Sequence, residues 1–485
     1  MMERHRIFNI LLAASVASLF LWALSCSMNP VTGKKEFMLL SSGDELALGK
    51  QTDTEILKSY GHYEGQALDS YISGIGQKLG ALSHQPNLEY SFKVLDSPVV
   101  NAFAVPGGFV YLTRGILAYF NDEAELAGVI GHEIGHIAAR HSAQQYSRAQ
   151  AAQLGLGLGS MLSKTFQKYA GLAEAGMSLL FLSYSRDNER QADDLGVLYS
   201  SKAGYDARHM ANMFVTLERL NPGEGKDGLP AWFSTHPNPP DRIAAIQKKA
   251  QEWQAENPQS RFTASRSEYL QRLDGLVFGE DPRQGYVADQ AFYHPQLKFQ
   301  FPVPAGWTVN NTATQVQIFN AKKDAVILLS MAAEKTPAAA AEAFVTGTKA
   351  TVVRSEGAQV GGFPARRVLA DVAGEQGTYR VLAHFIQKDD VVYAFLGYTA
   401  QAQFNAHGSA FDRTLGGFAN LTDAARINVK PERLAVRKVS RQGSLRQALQ
   451  GFGVPQDKLE PHAVLNGMKL DDTQPAGTLI KIVVK

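Results

Sequence analysis

One cysteine, Cys26, is all that the 485 residues contain. No internal disulfide is available, and cysteine usage therefore says little about the redox compartment. A surplus of one charge is also missing: 48 Lys and Arg stand against 46 Asp and Glu, a net charge of +2. Without a basic excess, nothing calls for nucleic acid as a partner. Beyond residue 25 there is no uninterrupted apolar run of about 20 residues, the length that crosses a bilayer. The stretch 149–182 comes nearest, but Lys164, Lys168 and Glu174 break it, and it is expected to form a flap or a packed helical hairpin. No internal repeat is visible. What remains is ordinary globular text, 45% hydrophobic and 19% charged, long enough for two to four domains.

The first residues differ from the rest. "MMERHR" is a short basic start, and an apolar run follows from Ile10 to Leu24. These are signal-peptide proportions, so residues 1–25 are expected to be a signal peptide. The run ends at "ALSC". A lone cysteine is elsewhere a small buried hydrophobe, but directly after such a run Cys26 resembles the acylated cysteine of bacterial lipoproteins. The lipobox is atypical: Ala23 stands where Leu is usual, and Leu24 follows. Ser27, in place of a retention Asp, points to the outer membrane. The implied location is the periplasm of a diderm bacterium, lipid-anchored to the outer membrane.

Local patterns give an α+β chain. "SSGDELALGK" carries a capping box from Ser42 to Glu45 at a helix start, and "ALDSYISGIGQKLGAL" gives a second helix. "YSFKVLD" and "NAFAVPGGFVYLTRGIL" are strand-like. Asn121 to Arg140 is expected to be a helix opened by Asn121 or Asp122, with Glu123 and Glu125 in its first turn. "RDNERQADDLGVLYSSKAG" is a further helix ending near Gly204. From about Gly285 the text alternates at period two, with a hairpin turning at Lys388 to Asp390 and one Ala-rich helix, "PAAAAEAFVTG". The last fifty residues give a strand, two short helices and a strand. Three domains follow: 26–284, 285–425 and 432–485.

Chemistry concentrates in "GVIGHEIGHIAAR", residues 128–140. On a helix, His132 and His136 lie one turn apart on one face and can reach one metal ion, while Glu133 is offset toward a water on that ion. Gly131 and Gly135 allow another element to approach closely. Catalytic zinc usually takes three protein ligands and keeps one position open, so a third ligand is needed. His141, five residues after His136 on a continuous helix, points away from the ligand face. Glu174 and His209 lack supporting context. Glu189 lies on the later helix with Asp193 one turn on. One carboxylate can bind zinc while the other holds a ligand histidine by its second ring nitrogen; the alternative for this pair is a solvated helix face.

"HEIGH" followed by "SRDNERQADDLG" resembles the HtpX and CAAX prenyl endopeptidase family of zinc metallopeptidases, in its soluble lipoprotein branch. The resemblance covers about residues 29–280. It implies a mainly helical zincin-type domain with a small sheet, one zinc per chain held by His132, His136 and Glu189, and Asp193 as the partner behind them. Glu133 would move protons between the attacking water and the leaving amine. His236 and Arg242, in "STHPNPPDRI", are candidates to stabilise the oxyanion. The edge of "NAFAVPGG", from Asn101 through Ala102 and Phe103 to Ala104, could pair with an extended substrate. For His236 a second role stays open: as a fourth ligand it would hold the enzyme latent.

By analogy with these relatives, the implied substrates are unfolded or misfolded envelope proteins. Domain 285–425 is loosely similar to PsbP-like sandwiches and shows no catalytic constellation. The tail 432–485 resembles a degenerate LysM module, "GSLRQALQGFGV" with "LNGMKLDD". Peptidoglycan is its candidate ligand, and a packing domain without a sugar ligand is the alternative. Two rival functions remain: an assembly factor that uses the peptidase fold for binding, and a cell-wall tether.

Overall fold

The computed structural model describes residues 26–155, 183–220, 232, 236, 241–374 and 377–485. The expected signal peptide, most of the expected hairpin before residue 183, and Pro237, Pro239 and Pro240 lie outside the described residues. No helix among the described residues is long and apolar enough to cross a membrane. The fold is mixed α and β, and it divides into two compact units. The first contains Gly61–Phe278 together with Arg433–Val484, and the second contains Gly279–Glu432.

In the first unit, a short hairpin (β1, Cys26–Met28; β2, Lys35–Phe37) precedes helices α1 (Ser42–Tyr60) and α2 (Gln66–Ala81). The capping box lies one residue earlier than the sequence suggests, on Ser41 and Asp44. Glu45 is recruited elsewhere, as an acceptor for Arg140. Three strands follow: β3 (Ser91–Leu95), β4 (Ala102–Val105) and β5 (Phe109–Thr113). They form a sheet of order β3-β5-β4, with β4 antiparallel at its edge. The β4–β5 turn uses Gly107 and Gly108 at φ +86° and +100°, a backbone that glycine adopts without strain.

Thr113 caps α3 (Arg114–Tyr119), and Asp122 caps the central helix α4 (Glu123–Ala138) by accepting from the Glu125 amide. Every described side chain of α4 from Ala124 to Ala138 is buried, so this helix is core on all sides. It stops because Arg140 adopts φ +58°. That strained backbone is held by the arginine's own guanidinium, which donates to Glu45 Oε1 at 2.7 Å, to the Leu40 carbonyl at 2.9 Å and to Ser27. A new helix, α5 (His141–Gly155), starts at once. Helices α6 (Arg186–Lys202), α7 (Met210–Arg219), α8 (Arg242–Glu256) and α9 (Arg266–Arg272) complete this part.

The second unit contains the strands β6 (Thr308–Asn311), β7 (Gln315–Phe319), β8 (Ala325–Met331), β9 (Thr351–Val360), β10 (Phe363–Gly374), β11 (Gly377–Lys388) and β12 (Val391–Ala400). They form a seven-stranded antiparallel sheet of order β9-β10-β11-β12-β8-β7-β6. The Ala-rich helix α10 (Pro337–Thr348) covers one face through Ala340 and Ala341. Helix α11 (Phe404–Gly416) covers the other through Phe411 and Leu415. Period-two alternation places Val381, Ala383 and Phe385 on the first face and Leu382 and Ile386 on the second.

The C-terminal segment has β13 (Arg433–Lys438) paired antiparallel with β14 (Leu479–Val484), and between them α12 (Leu445–Gly451) and α13 (Leu459–Leu465). It shares the core of the first unit through Leu434 and Leu465. Lys481 is fully buried, and its Nζ donates to the carbonyls of Ala118 and Phe120 at the end of α3, both at 2.7 Å. Burial holds its pKa well below the usual lysine range. Lys481→Ala leaves both carbonyls buried without that donor and is expected to cost about 2–4 kcal/mol. Thermal unfolding of the full chain measures this; an unchanged first-unit transition would show that the tail docks independently of Lys481.

A titrating contact sits at the start of α4. His209 Nδ1 lies 2.6 Å from Asp122 Oδ2, and this hydrogen bond raises the histidine pKa above 6.5. A raised folded-state pKa contributes stability that is complete below pH 6.5 and is lost as pH climbs through the folded value. The destabilisation by His209→Asn in urea is therefore expected to be larger at about pH 5.5 than at about pH 8.5. Equal destabilisation at both would remove the ionised pair from the account.

Candidate metal centre

The centre forms where α4 meets α6. A β-carbon on Gly131 would come 3.1 Å from the Gly196 carbonyl oxygen, and one on Gly196 would come 3.0 Å from the His132 amide nitrogen. These glycines let the two backbones approach closely enough for the side chains beyond them to converge. His132 Nε2 and His136 Nε2 are 3.0 Å apart. Glu189 Oε1 is 3.4 Å from His136 Nε2, and Glu189 Oε2 is 3.8 Å from His132 Nε2. His236 Nδ1 lies 3.0 Å from Glu189 Oε1 and 3.4 Å from His132 Nε2. The four donor atoms all fall within 4.8 Å of one another, and all four residues are buried.

This donor set suits a metal. Ligand atoms around tetrahedral zinc, with bonds of about 2.0–2.1 Å, stand roughly 3.3 Å apart. Burial holds His132 and His136 well below the ordinary histidine pKa, so they are neutral and offer lone pairs. Burial opposes ionisation of Glu189, but the surrounding His236, His136 and His132 outweigh it and hold the carboxylate well below its usual range. His236 moves the other way: burial would lower its pKa, but the Glu189 and Glu133 charges raise it.

A layer of polar contacts packs behind this cluster. Asp193 Oδ1 is 2.9 Å from His132 Nδ1. Arg242 donates through Nε to Asp193 Oδ2 at 2.7 Å and through Nη2 to Oδ1 at 2.8 Å. Its Nη1 lies 3.0 Å from Glu189 Oε2, and the guanidinium packs 4.2 Å from the Phe214 ring centroid. Burial still pushes Asp193 up to about 6 against the pull of Arg242. The expected oxyanion candidate thus has its guanidinium on the carboxylates of Asp193 and Glu189.

Glu133 is fully buried beside the donors, with Oε1 3.7 Å from His236 Nε2. Burial pushes it up to about 7, with the His236 charge opposing, which poises it to exchange a proton near neutral pH. The Ala104 amide lies against this carboxylate, which brings the edge strand β4 to the centre. Ala102, Phe103 and Ala104 are buried. The Asn101 side-chain oxygen is buried without a hydrogen-bond partner among the described residues.

His141 does not point away as a continuous helix would make it. The break at Arg140 turns it back, and its Nδ1 stands 2.9 Å from His136 Nδ1. Tyr184 was also not singled out in the sequence; its ring stacks on His136 at 3.9 Å between centroids. Trp232, buried 4.8 Å from the His236 ring centroid, is a third such residue. An isolated tyrosine and an isolated tryptophan carry no spacing signal that could have identified them.

Residues 66–250 match the profile of Peptidase family M48. Over those residues the chain is similar to the M48 peptidases. It is 29% identical over 248 residues to the mitochondrial metalloendopeptidase OMA1 of Schizosaccharomyces pombe, covering 48% of this chain and 68% of that protein. It is 29% identical over 280 residues to the beta-barrel assembly-enhancing protease of Yersinia pestis, covering 55% and 54%. The chain spans about half the length of the bacterial beta-barrel assembly-enhancing proteases it matches. Among solved structures, the cyanobacterial PsbP protein CyanoP of Synechocystis aligns with a TM-score of 0.24 at 15% identity, over 27% of this chain and 91% of that one. So slight a likeness carries no argument about the fold.

The centre depends on Arg242 electrostatically. Removing it strands Asp193 and Glu189 as buried acids without their cation. Arg242→Met is expected to cost roughly 3–5 kcal/mol in the metal-free protein, the range for breaking a buried ion pair from one side. Chemical denaturation after chelation checks it; a loss under about 1 kcal/mol would mean that the acids find other partners.

Proposed function

We propose that this protein is a zinc metalloendopeptidase that cleaves unfolded or misfolded proteins of the bacterial envelope. The observation that carries the reading is the convergence of His132, His136 and Glu189 with Glu133 at their side. His132, His136 and Glu189 are the zinc ligands, and Asp193 orients His132. Bound zinc supplies Lewis acidity toward the scissile carbonyl and toward water. Glu133 takes the proton from the attacking water and delivers it to the leaving amine. The edge strand from Asn101 to Ala104 aligns an extended substrate through its main chain. Arg242 acts by holding Asp193 and Glu189, because its donors face them.

His236 has two roles in this reading. Its Nδ1 stands among the donor atoms, which supports the latent form in which it fills the fourth position. Its Nε2 faces Glu133, and from a displaced position the ring serves as oxyanion donor. The first domain is read as a zincin, with Cys26 as the lipid attachment point and the outer membrane of a diderm bacterium as the location. The names of the Yersinia and related bacterial proteins, beta-barrel assembly-enhancing protease, support an envelope site of action. For the tail, a cavity of about 320 Å³ lined by Arg441, Ser444, Gln447 and Phe452 supports peptidoglycan binding by a LysM-like module.

Casein hydrolysis by the zinc-loaded full chain, with and without chelator, tests the reading. Glu133→Gln is expected to retain about one zinc per chain and to lose hydrolysis. His236→Ala is expected to raise self-cleavage if latency dominates, and to lower turnover by roughly a hundredfold if the donor role dominates. Chelator-insensitive hydrolysis, or full activity in Glu133→Gln, would overturn the proposal.

A further inference from the structure

Behind His136 lies a contact chain that the proposed reaction does not use. His136 Nδ1 is 2.9 Å from His141 Nδ1, and His141 Nε2 is 2.9 Å from Gln191 Oε1. An amide oxygen only accepts, so His141 carries its proton on Nε2 and donates it to Gln191. The Nδ1 of neutral His141 is then a lone pair. The 2.9 Å contact between the two Nδ1 atoms needs one proton, which must belong to His136. A neutral His136 protonated at Nδ1 has its lone pair on Nε2, the atom that faces His132 and Glu189.

We propose that His141 and Gln191 are positioning residues that fix the tautomer and ring orientation of His136, so that its Nε2 is presented to the metal. Tyr184, stacked on the same ring, fixes its plane. The relay rests on the zinc-centre reading given above. It also explains the strained backbone at Arg140. On a continuous helix, five residues rotate the side chain by roughly 140° from His136, and only a break lets residue 141 return to it.

The choice of a neutral partner follows from the local charge. His132 is backed by the carboxylate of Asp193, and the site already buries Glu133, Glu189 and Asp193 against the single guanidinium of Arg242. A carboxylate behind His136 would add another buried acid. An imidazole that passes its proton to an amide gives the same orientation without net charge.

The test is zinc affinity of the full-length protein, stripped by chelation and titrated against a chromophoric chelator, with the d–d spectrum of the cobalt-substituted protein as a second readout. His141→Phe keeps a ring but removes the acceptor, and is expected to weaken zinc binding about 10- to 100-fold. His141→Asn places Oδ1 where Nδ1 was and is expected to restore most of the affinity and the wild-type cobalt spectrum. Gln191→Leu, which leaves His141 in place, is expected to fall between them, and it carries the test if His141→Phe does not fold. Wild-type affinity in His141→Phe or in Gln191→Leu would overturn the relay, as would equal weakness of the Phe and Asn variants. A wild-type protein that binds no zinc would instead overturn the metal centre itself, and the relay with it.

Discussion

The separation of α4 and α6 is the constraint on which the centre depends. His132 and His136 come from one helix and Glu189 and Asp193 from the other, so their geometry is set by how closely two backbones pack. Gly131, Gly135 and Gly196 remove the side chains that would hold them apart, and a β-carbon at Gly135 would already press on the Ala192 carbonyl at 3.2 Å. Interior packing leaves few voids to absorb such a shift. A metal site tolerates little error in ligand position, so the glycines act on chemistry through distance alone. Their helix-propensity cost is offset by α4 being buried on all sides, where tertiary packing decides the fold.

Such a buried, tightly packed site raises an electrostatic problem, which the same helices and α8 resolve. Three acids are buried with one arginine and several imidazoles. Burial drives the carboxylates toward the neutral form and the histidines away from the charged form. Glu189 escapes because cationic and hydrogen-bonding neighbours converge on it, whereas Glu133 faces fewer and is pushed up to about 7. Two carboxylates a few residues of packing apart thus acquire different tasks, one fit to remain an anion and one fit to exchange protons. His236, His136 and His132 make this division, while Arg242 binds Glu189 and Asp193 together and stands over Phe214.

Much of this was legible in the residues. The i, i+4 spacings of His132 and His136, of Gly131 and Gly135, and of Glu189 and Asp193 are helix periodicities, and periodicity survives in a one-dimensional text. The strands of the second unit were legible for the same reason, since period-two alternation places Leu382 and Ile386 on one face and Val381 and Phe385 on the other. The role of His141 was not legible. Its direction depends on a left-handed backbone at Arg140, a residue type that gives no warning of positive φ, and that backbone is held by partners near residues 27, 40 and 45. Lys481 was hidden likewise: a lysine in a strand gives no sign that it will cap a helix 361 positions earlier.

These two long-range contacts share a geometry. Lys481 and the Asp122–His209 pair hold the chain where α4 begins, and Arg140 with Glu45 and Ser27 holds it where α4 ends. Asn29 adds a hydrogen bond to the Ala139 carbonyl at 3.1 Å. An apolar helix buried among apolar neighbours could slide or rotate at little cost, since hydrophobic burial is non-directional. Directional polar contacts at its two ends remove that freedom. The N-terminal hairpin and the C-terminal strand therefore do more than enclose the peptidase core. They fix the register of the helix that carries His132, Glu133 and His136, so that the glycine-set distance to α6 is met at the right residues.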